Sequence, residues 1–340
     1  MRRDLRDAVL PGPAEVGNAN SRGNTNLHSA SSSAGSIIGY ADDRYGHDGV
    51  RLDDRFEGDT SLRGTVLITG CSSGFGAATA RLFAEMGWNV VATMRRPEAD
   101  PGLAELPNVL VEQLNVQDPR TIATAIANGL ARFGRIDVLV NNAGFGLFGV
   151  FEATPAEKIR EQFDVNLFGL MEVTRAVLPH FRANRAGVVV NIGSGAAVFA
   201  LPMISIYCAS KFALEGFSEA LSYELASLGI RVKMIEPGGV TTTRFGARGE
   251  SEATALTPPA DYSDFVAASE RLFADLRASG GAATSEEVAE VVHAAATDGT
   301  DRLRYVASED IKPLIAVRRE TSEDDYMAFM RSRVTPRLEM

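Results

Sequence analysis

The sequence predicts an α/β chain: a doubly wound parallel sheet with helices on both faces, in three layers. Three observations predict it. Short apolar runs alternate with stretches of helical spacing from Arg63 to Val306. A glycine turn, Gly70-Cys-Ser-Ser-Gly74-Phe-Gly76, follows the first apolar run and precedes the first helix. The run Val188-Val-Val-Asn-Ile192 is nearly unbroken, as suits a strand covered on both faces.

The elements follow in order. Thr65 to Thr69 is the first strand, and the helix after the glycine turn places Ala80, Phe83 and Ala84 together and stops at Gly87. Asn89 to Thr93 and Val109 to Gln113 are the second and third strands, and Pro119 to Phe133 is a helix. Asp137 to Val140 is a fourth strand, running into Asn141-Asn-Ala-Gly144. A long helix is expected from about Pro155 to Phe181, then the fifth strand at Val188 to Ile192. Tyr207 opens a helix reaching about Leu228, and Arg231 to Ile235 is the sixth strand. From Thr241 to about Gly280 the pattern weakens to a Pro258-Pro259 break and a helical piece near Phe265 to Leu276, the composition of a cover over a site. Thr284-Ser-Glu-Glu287 reads as a capping box for a helix with Val288, Val291, Val292 and Ala295 on one face. His293 on that helix reads as a solvated or satisfied histidine. Leu303 to Val306 is the last strand.

The chain divides into a disordered extension at 1–62, rich in Ser, Asn, Gly and mixed charge, a single α/β domain at 63–310, and a tail at 311–340. With 340 residues, 45% of them apolar, the domain has ample core. A net charge of −10 and no basic stripe argue against nucleic-acid binding. Two cysteines, Cys71 and Cys208, and four histidines offer no metal-ligand spacing, and so few cysteines fit a reducing cytoplasm. The charge-free run between Arg185 and Lys211 is long enough to cross a bilayer, but Asn191, Ser194, Pro202 and Ser205 break it into strand, loop and helix start, so no membrane span is expected.

The glycine turn has a mechanical rationale. Glycines let the backbone turn tightly and approach a pyrophosphate, and the helix beginning near Gly74 offers amide donors and a favourable dipole, as in a Rossmann-type dinucleotide site. Where an NAD-binding version has an acid at the end of the second strand, this chain has Met94, then Arg95 and Arg96. A guanidinium pairs with a phosphate that an acid would repel. NADP(H) is therefore expected in preference to NAD(H), with Arg95 as the main 2′-phosphate contact, Arg96 beside it and Ser72 as a helper.

Tyr207 and Lys211 are four apart, so on a helix they leave one face. A nearby positive charge favours the phenolate, so Lys211 is expected to pull the Tyr207 pKa toward neutrality and make the phenol a general acid or base. Ser194, beyond the end of the fifth strand, brings a hydroxyl to the same place.

With the glycine turn, Asn141-Asn-Ala-Gly144, Ser194, Tyr207 and Lys211 in this order, residues 63 to about 307 resemble the short-chain dehydrogenase/reductase family. Thr69-Gly-Cys-Ser-Ser-Gly74, Ala92-Thr-Met-Arg95 and Tyr207-Cys-Ala-Ser-Lys211 look closest to its branch of 17β-hydroxysteroid and retinol dehydrogenases. The resemblance implies an NAD(P)-dependent oxidoreductase interconverting an alcohol and a carbonyl. It gives Tyr207 the proton, Ser194 the substrate oxygen, and Lys211 the nicotinamide ribose together with the lowering of the Tyr207 pKa. Asn166, in Asp164-Val-Asn166, would hold a water linking Lys211 to solvent through a local helix distortion. The spacing of thirteen between Ser194 and Tyr207 matches the family and selects Ser194 over Ser205.

The same resemblance implies dinucleotide contacts from Gly70, Ser72, Ser73, Gly74, Phe75 and Gly76, from Asn142, Ala143 and Gly144, and from Tyr207 and Lys211. Pro237, Gly238, Val240 and Thr242 would meet the nicotinamide carboxamide. Asn115, with Val116 after it, stands where the family commonly has Asp near the adenine, and its amide oxygen can still accept a hydrogen bond. Apolar residues at the mouth suggest a hydrophobic or aromatic small molecule; Phe145, Phe199 and Met203 are candidate substrate contacts with Ser194, and Leu147, Phe148 and Leu201 lie nearby. The helices near 155–181 and 207–228 imply a homo-oligomer. Two other readings use the same residues: a non-catalytic dinucleotide sensor, and an epimerase or dehydratase on the same scaffold. The sensor predicts loss of a catalytic residue, whereas all four are present; net consumption of NADPH separates the redox enzyme from the epimerase or dehydratase.

Overall fold

The computed structural model describes residues 64–239, 257–278 and 280–336. The extension expected at 1–62, and the candidate contacts Val240 and Thr242, lie outside the described residues. Seven strands form one sheet in the order β3-β2-β1-β4-β5-β6-β7, all pairs parallel. They are β1 (Thr65–Thr69), β2 (Asn89–Met94), β3 (Val109–Gln113), β4 (Val138–Asn141), β5 (Gly187–Ile192), β6 (Ile230–Glu236) and β7 (Arg304–Val306).

Successive side chains of a strand point to opposite faces, and the core divides accordingly. Val66 and Ile68 of β1, Val90 and Ala92 of β2, and Val138 and Val140 of β4 pack on one face with Phe83 of helix α1 (Gly74–Glu85) and Val288 and Val292 of helix α7 (Ser285–Thr297). Leu67, Val91, Leu139 and Val189 face the other way, onto α2 (Pro119–Phe133), α4 (Leu170–Asn184) and α5 (Ser205–Ala226). This is the three-layer, doubly wound architecture the sequence predicts. The strand order reverses between β1 and β4, and ligands of such sheets bind in the crevice beyond the strand ends at that switch point.

Local chemistry sets the element ends. Asp118 caps α2, its side chain accepting from the Arg120 N–H, and Pro119 follows at the first helical position, where its missing N–H costs nothing. The capping box at Thr284 and Glu287 is formed in both directions. The long helix expected at 155–181 is helical throughout but changes winding: α3 (Ala156–Phe163) passes through a π-helical turn, Asp164–Gly169, into α4. Helix α6 (Ser263–Ala278) contains the expected helical piece of the cover.

One region differs from the sequence reading. Beyond 310, where the sequence suggested only a tail, the chain forms α8 (Lys312–Glu320) and α9 (Glu323–Val334). Ile315, Tyr326 and Met330 of this pair pack against Val198, Phe199 and Ile311. Leu314, Val317, Met327, Phe329 and Val334 are partly buried against the same cluster, and Tyr326, Met330 and Val334 recur at helical spacing, a signal the sequence reading left unused. Among the described residues no helix is long and apolar enough to cross a membrane; the charge-free run contains all of β5, crosses a loop and opens α5.

Candidate active site

The glycine turn leaves β1 at the switch point. Gly70 (φ 78°) and Gly74 (φ 56°) are left-handed, a backbone state that Cβ-bearing residues resist. At Gly76 the constraint is space: a Cβ there would strike the Gly70 carbonyl and come within 2.5 Å of the Asn142 amide nitrogen. Gly76→Ala is therefore expected to lose about 1–3 kcal/mol of stability, read as a lower Tm. Ser73 is the N-cap of α1 but makes no side-chain capping bond, which leaves the first amides of α1 without a side-chain partner. A tight turn with backbone exposed and amide donors at a helix start fits a pyrophosphate.

Thr69 ties this turn to the end of β4. Its hydroxyl accepts from the N–H groups of Asn142 and Ala143, both at 3.0 Å, while the Asn142 amide donates to the carbonyls of Thr69 (2.8 Å) and Gly70 (3.2 Å). Asn141 points the other way, donating to Asn191 of β5 and Thr174 of α4 at 2.9 Å each. Gly144 lies against Asn166, whose oxygen would sit 3.3 Å from a Cβ placed there.

Tyr207, Lys211 and Ser194 meet beyond the end of β5. The Tyr207 phenol and the Ser194 hydroxyl are hydrogen-bonded, and Ser194 also accepts from the Ala196 N–H at 3.1 Å. The Lys211 ammonium lies 5.8 Å from the Tyr207 ring centre and donates to the Ile192 carbonyl at 2.8 Å. Here the electrostatic expectation needs correction. Burial pushes the Tyr207 pKa above the ordinary tyrosine value, the Ser194 bond opposes it only in part, and Lys211 is not among the groups that lower it. Burial likewise pushes Lys211 down to about 8. The spacing rule put the two side chains on one face correctly, but desolvation outweighs their charge coupling.

Asn166 sits in the π-helical turn, 1% exposed. Its side chain is committed to Phe145, accepting from that N–H at 3.0 Å and donating to that carbonyl at 2.8 Å, with a weaker contact to Ser210 at 3.3 Å. Gln162 completes the brace, donating to the Phe145 carbonyl and accepting from the Leu147 N–H. Ser210 and Gln162 were missed in the sequence because polar residues on amphipathic helices carry no signal of burial.

The chemistry-bearing side chains thus gather where β1, β4 and β5 end. The sequence pattern of the family described as short chain dehydrogenase matches residues 64–253, more than half of the chain. The chain belongs to the short-chain dehydrogenase family. Human 17-beta-hydroxysteroid dehydrogenase type 1 is 34% identical over 289 residues, covering 80% of this chain and 86% of that one. Bovine retinol dehydrogenase 8 is 34% identical over 270 residues, covering 75% of this chain and 84% of that one. A crystal structure of a short-chain dehydrogenase from Streptomyces avermitilis superposes with a TM-score of 0.67 at 33% identity, over 79% of this chain and 95% of that one. This dehydrogenase is an NAD(P)-dependent oxidoreductase of small-molecule alcohols or carbonyls.

The remaining candidate residues of the dehydrogenase divide by position. Arg95 and Arg96 are exposed just beyond β2, and among the described residues neither guanidinium has an ion-pair partner. Ser72 is exposed, while Phe75 is partly buried. Asn115 accepts from the Gln117 N–H at 3.2 Å, with a second lone pair to spare, and Val116 packs against Gly169. Pro237 accepts from the Gly195 N–H at 2.8 Å, and Gly238 follows it.

The three apolar substrate candidates are not equivalent. Phe145, 2% exposed, packs with Leu147 and Ile206, and Phe199, also 2% exposed, packs under α8 and α9. Both rings are packed within those clusters. Met203 differs: it is left-handed (φ 63°) and lines a cavity of about 440 Å³ with Val150, Phe151, Tyr262 and Phe265. Ser205, two residues before Tyr207, is on the same wall. Across it Tyr262 donates to Glu152 at 3.0 Å, and Phe273 of α6 meets Phe148 edge-on, so the cover is seated on the loop after β4.

Proposed function

We propose that the dehydrogenase interconverts a secondary alcohol and a ketone, or a primary alcohol and an aldehyde, on a hydrophobic small molecule, preferring NADP(H) to NAD(H). The observation that carries the reading is the Tyr207 phenol bonded to the Ser194 hydroxyl, with the Lys211 ammonium beside the ring. The nicotinamide dinucleotide, when bound, supplies or accepts the hydride. The protein's part is the proton. A phenol kept protonated by burial is in the form that donates to a carbonyl oxygen, and Ser194 is within reach to orient that oxygen by a second hydrogen bond. Lys211 would move from the Ile192 carbonyl toward the ribose hydroxyls and, once there, favour proton release from Tyr207.

Asn166 acts through backbone. Its side chain is engaged by Phe145, but a π turn shifts hydrogen bonds from i+4 to i+5 and releases a carbonyl. That carbonyl is the proposed holder of a water joining Lys211 to solvent. Gly70, Ser73, Gly74, Phe75 and Gly76 would hold the pyrophosphate, Asn142 to Gly144 the central dinucleotide, Asn115 and Val116 the adenine side, and Pro237 and Gly238 the carboxamide. Exposed Phe168 and Phe212, on the π turn and on α5, support a homo-oligomer packed through these helices. The apolar wall of Val150, Phe151, Met203 and Phe265 supports a hydrophobic substrate.

A panel of apolar ketones and aldehydes with NADPH, followed by its absorbance, tests the reading. With the cofactor bound and no member reduced, the reading fails. In the same assay, Arg95→Ala is expected to lower catalytic efficiency with NADPH about ten- to a hundred-fold while sparing NADH, since it deletes one charge-assisted contact. An unchanged preference removes Arg95.

A further inference from the structure

Glu236 ends β6 with its side chain fully buried, where a carboxylate without a countercharge would turn neutral. Burial pushes its pKa up, and Arg319 of α8 opposes this, donating to one carboxylate oxygen at 2.6 Å. The other carboxylate oxygen is buried without a partner. The chain leading into α8 grips the residues that follow. The Ser308 hydroxyl accepts from the Gly238 N–H and the Asp310 carboxylate from the Gly239 N–H, each at 2.8 Å. Ile311 fills the space below: a Cβ on Gly238 would lie 2.6 Å from its Cγ2, and one on Gly195 would lie 3.0 Å from its Cδ1. Between these two glycines, the Pro237 carbonyl accepts from the N–H of Gly195, the residue after Ser194.

We infer that Ser308, Asp310 and Arg319 are positioning residues of the reaction. The segment 308–319 is a bracket that sets the Glu236–Gly239 turn, and through Pro237 and Gly195 the Ser194 hydroxyl, for the nicotinamide end of the dinucleotide. None of the three needs to touch cofactor or substrate. The inference rests on the proposed place of the cofactor beside Pro237 and Gly238. The bracket lies beyond residue 253, where the match to the family pattern stops.

The charges facing Glu236 give the inference a distinctive signature. They are Arg319 on α8, Arg304 on β7 and Glu215 on α5, with Arg304 also paired to Glu215 and Glu219. Without Arg319 the Glu236 carboxylate loses its hydrogen-bonded cation; Glu215 still repels it, and the Arg304 that still attracts it is shared with Glu215 and Glu219. It then holds a proton at lower pH and ionises, unpaired and buried, as pH rises, loosening the turn.

The test measures NADPH dissociation constant and turnover from about pH 6 to 9. Arg319→Gln is expected to lose roughly ten- to a hundred-fold in kcat/KM for NADPH, the scale of a misplaced support, with the loss deepening as pH rises. The double variant Glu236→Gln/Arg319→Gln, with no charge to bury, is expected to recover most of it and lose the pH dependence. Arg318→Gln serves as the control on the same helix; Arg318 pairs with Glu323 and stacks over Tyr326, so its loss is expected to lower Tm and not NADPH affinity. If Arg319→Gln melts below the assay temperature, Ser308→Ala carries the test, with NADPH affinity falling several-fold at nearly constant Tm. Wild-type behaviour of Arg319→Gln at every pH, unchanged affinity in Ser308→Ala, or equal losses in Arg318→Gln would overturn the bracket and leave the oxidoreductase reading intact. A wild-type protein that reduces no carbonyl, or a fully active Tyr207→Phe, overturns the parent reading instead.

Discussion

Tyr207→Phe is expected to lower kcat by about 10²–10⁴, the usual contribution of a positioned proton carrier, with NADPH affinity nearly unchanged. The substitution keeps the ring, and so its packing against Ala196, Ile204 and Cys208, and removes only the hydroxyl bonded to Ser194. The pH profile is the second half of the expectation. Because burial keeps the phenol protonated, the acid needed for carbonyl reduction is present through neutral pH. The group that titrates is Lys211, held down at about 8. Its charge is present below that value and lost above it, so kcat/KM for reduction should be flat in the neutral range and decline above about pH 8. Steady-state rates across pH for wild type and variant check both statements; full activity in the variant, or a profile rising through pH 8, would remove Tyr207 from its role.

Lys233→Met is expected to lose about 3 kcal/mol of stability, the scale of breaking a buried ion pair from one side. In a domain of this size that lowers Tm by roughly 10 °C. Lys233 is 1% exposed inside β6, and its ammonium donates to Asp298 (3.0 Å), the Thr300 carbonyl (2.7 Å) and the Tyr305 hydroxyl (2.9 Å). Methionine follows the lysine stem and lacks only one terminal heavy atom, so the loss reads mainly the polar network rather than a cavity. Burial works against the Asp298 carboxylate, yet hydrogen bonds from Tyr305, Thr300 and Lys233 outweigh it and hold the pKa at about 2 against an ordinary 3.8. A carboxylate depressed by folding contributes stability above its unfolded value and loses it as pH falls toward the folded one. The stabilisation from Asp298 is thus full above about pH 4 and drains away toward pH 2, and Lys233→Met should show less of that acid-side loss. Thermal melts at about pH 7 and 3 decide it; a Tm unchanged from wild type at neutral pH would show that the network contributes nothing.

The sheet and most of its helices were legible because each strand buried on two faces is a near-unbroken apolar run and each helix has a visible start. Thr65–Thr69 and Val138–Asn141 are such runs, and Asp118-Pro119 and Thr284-Ser-Glu-Glu287 are start signals. The gathering of Ser194, Tyr207 and Lys211 was legible from spacing and family resemblance together. Phe199 was not, because an aromatic residue near a site looks the same in sequence whether it faces a ligand or, as here, the underside of α8 and α9. Lys233 was equally silent. One lysine in an apolar strand reads as an interruption until Asp298 and Tyr305, far along the chain, close around it.

Sequence by itself determined what is local: the period of the strands, the glycines that alone fit the turn after β1, and the helical spacing that brings a phenol and an ammonium to one face. Only the tertiary structure decided how much water those groups keep. Burial is a sum over contacts from distant parts of the chain, and it reversed the expected shift at Tyr207, lowered Lys211, and joined Arg319 to Glu236 across 83 residues.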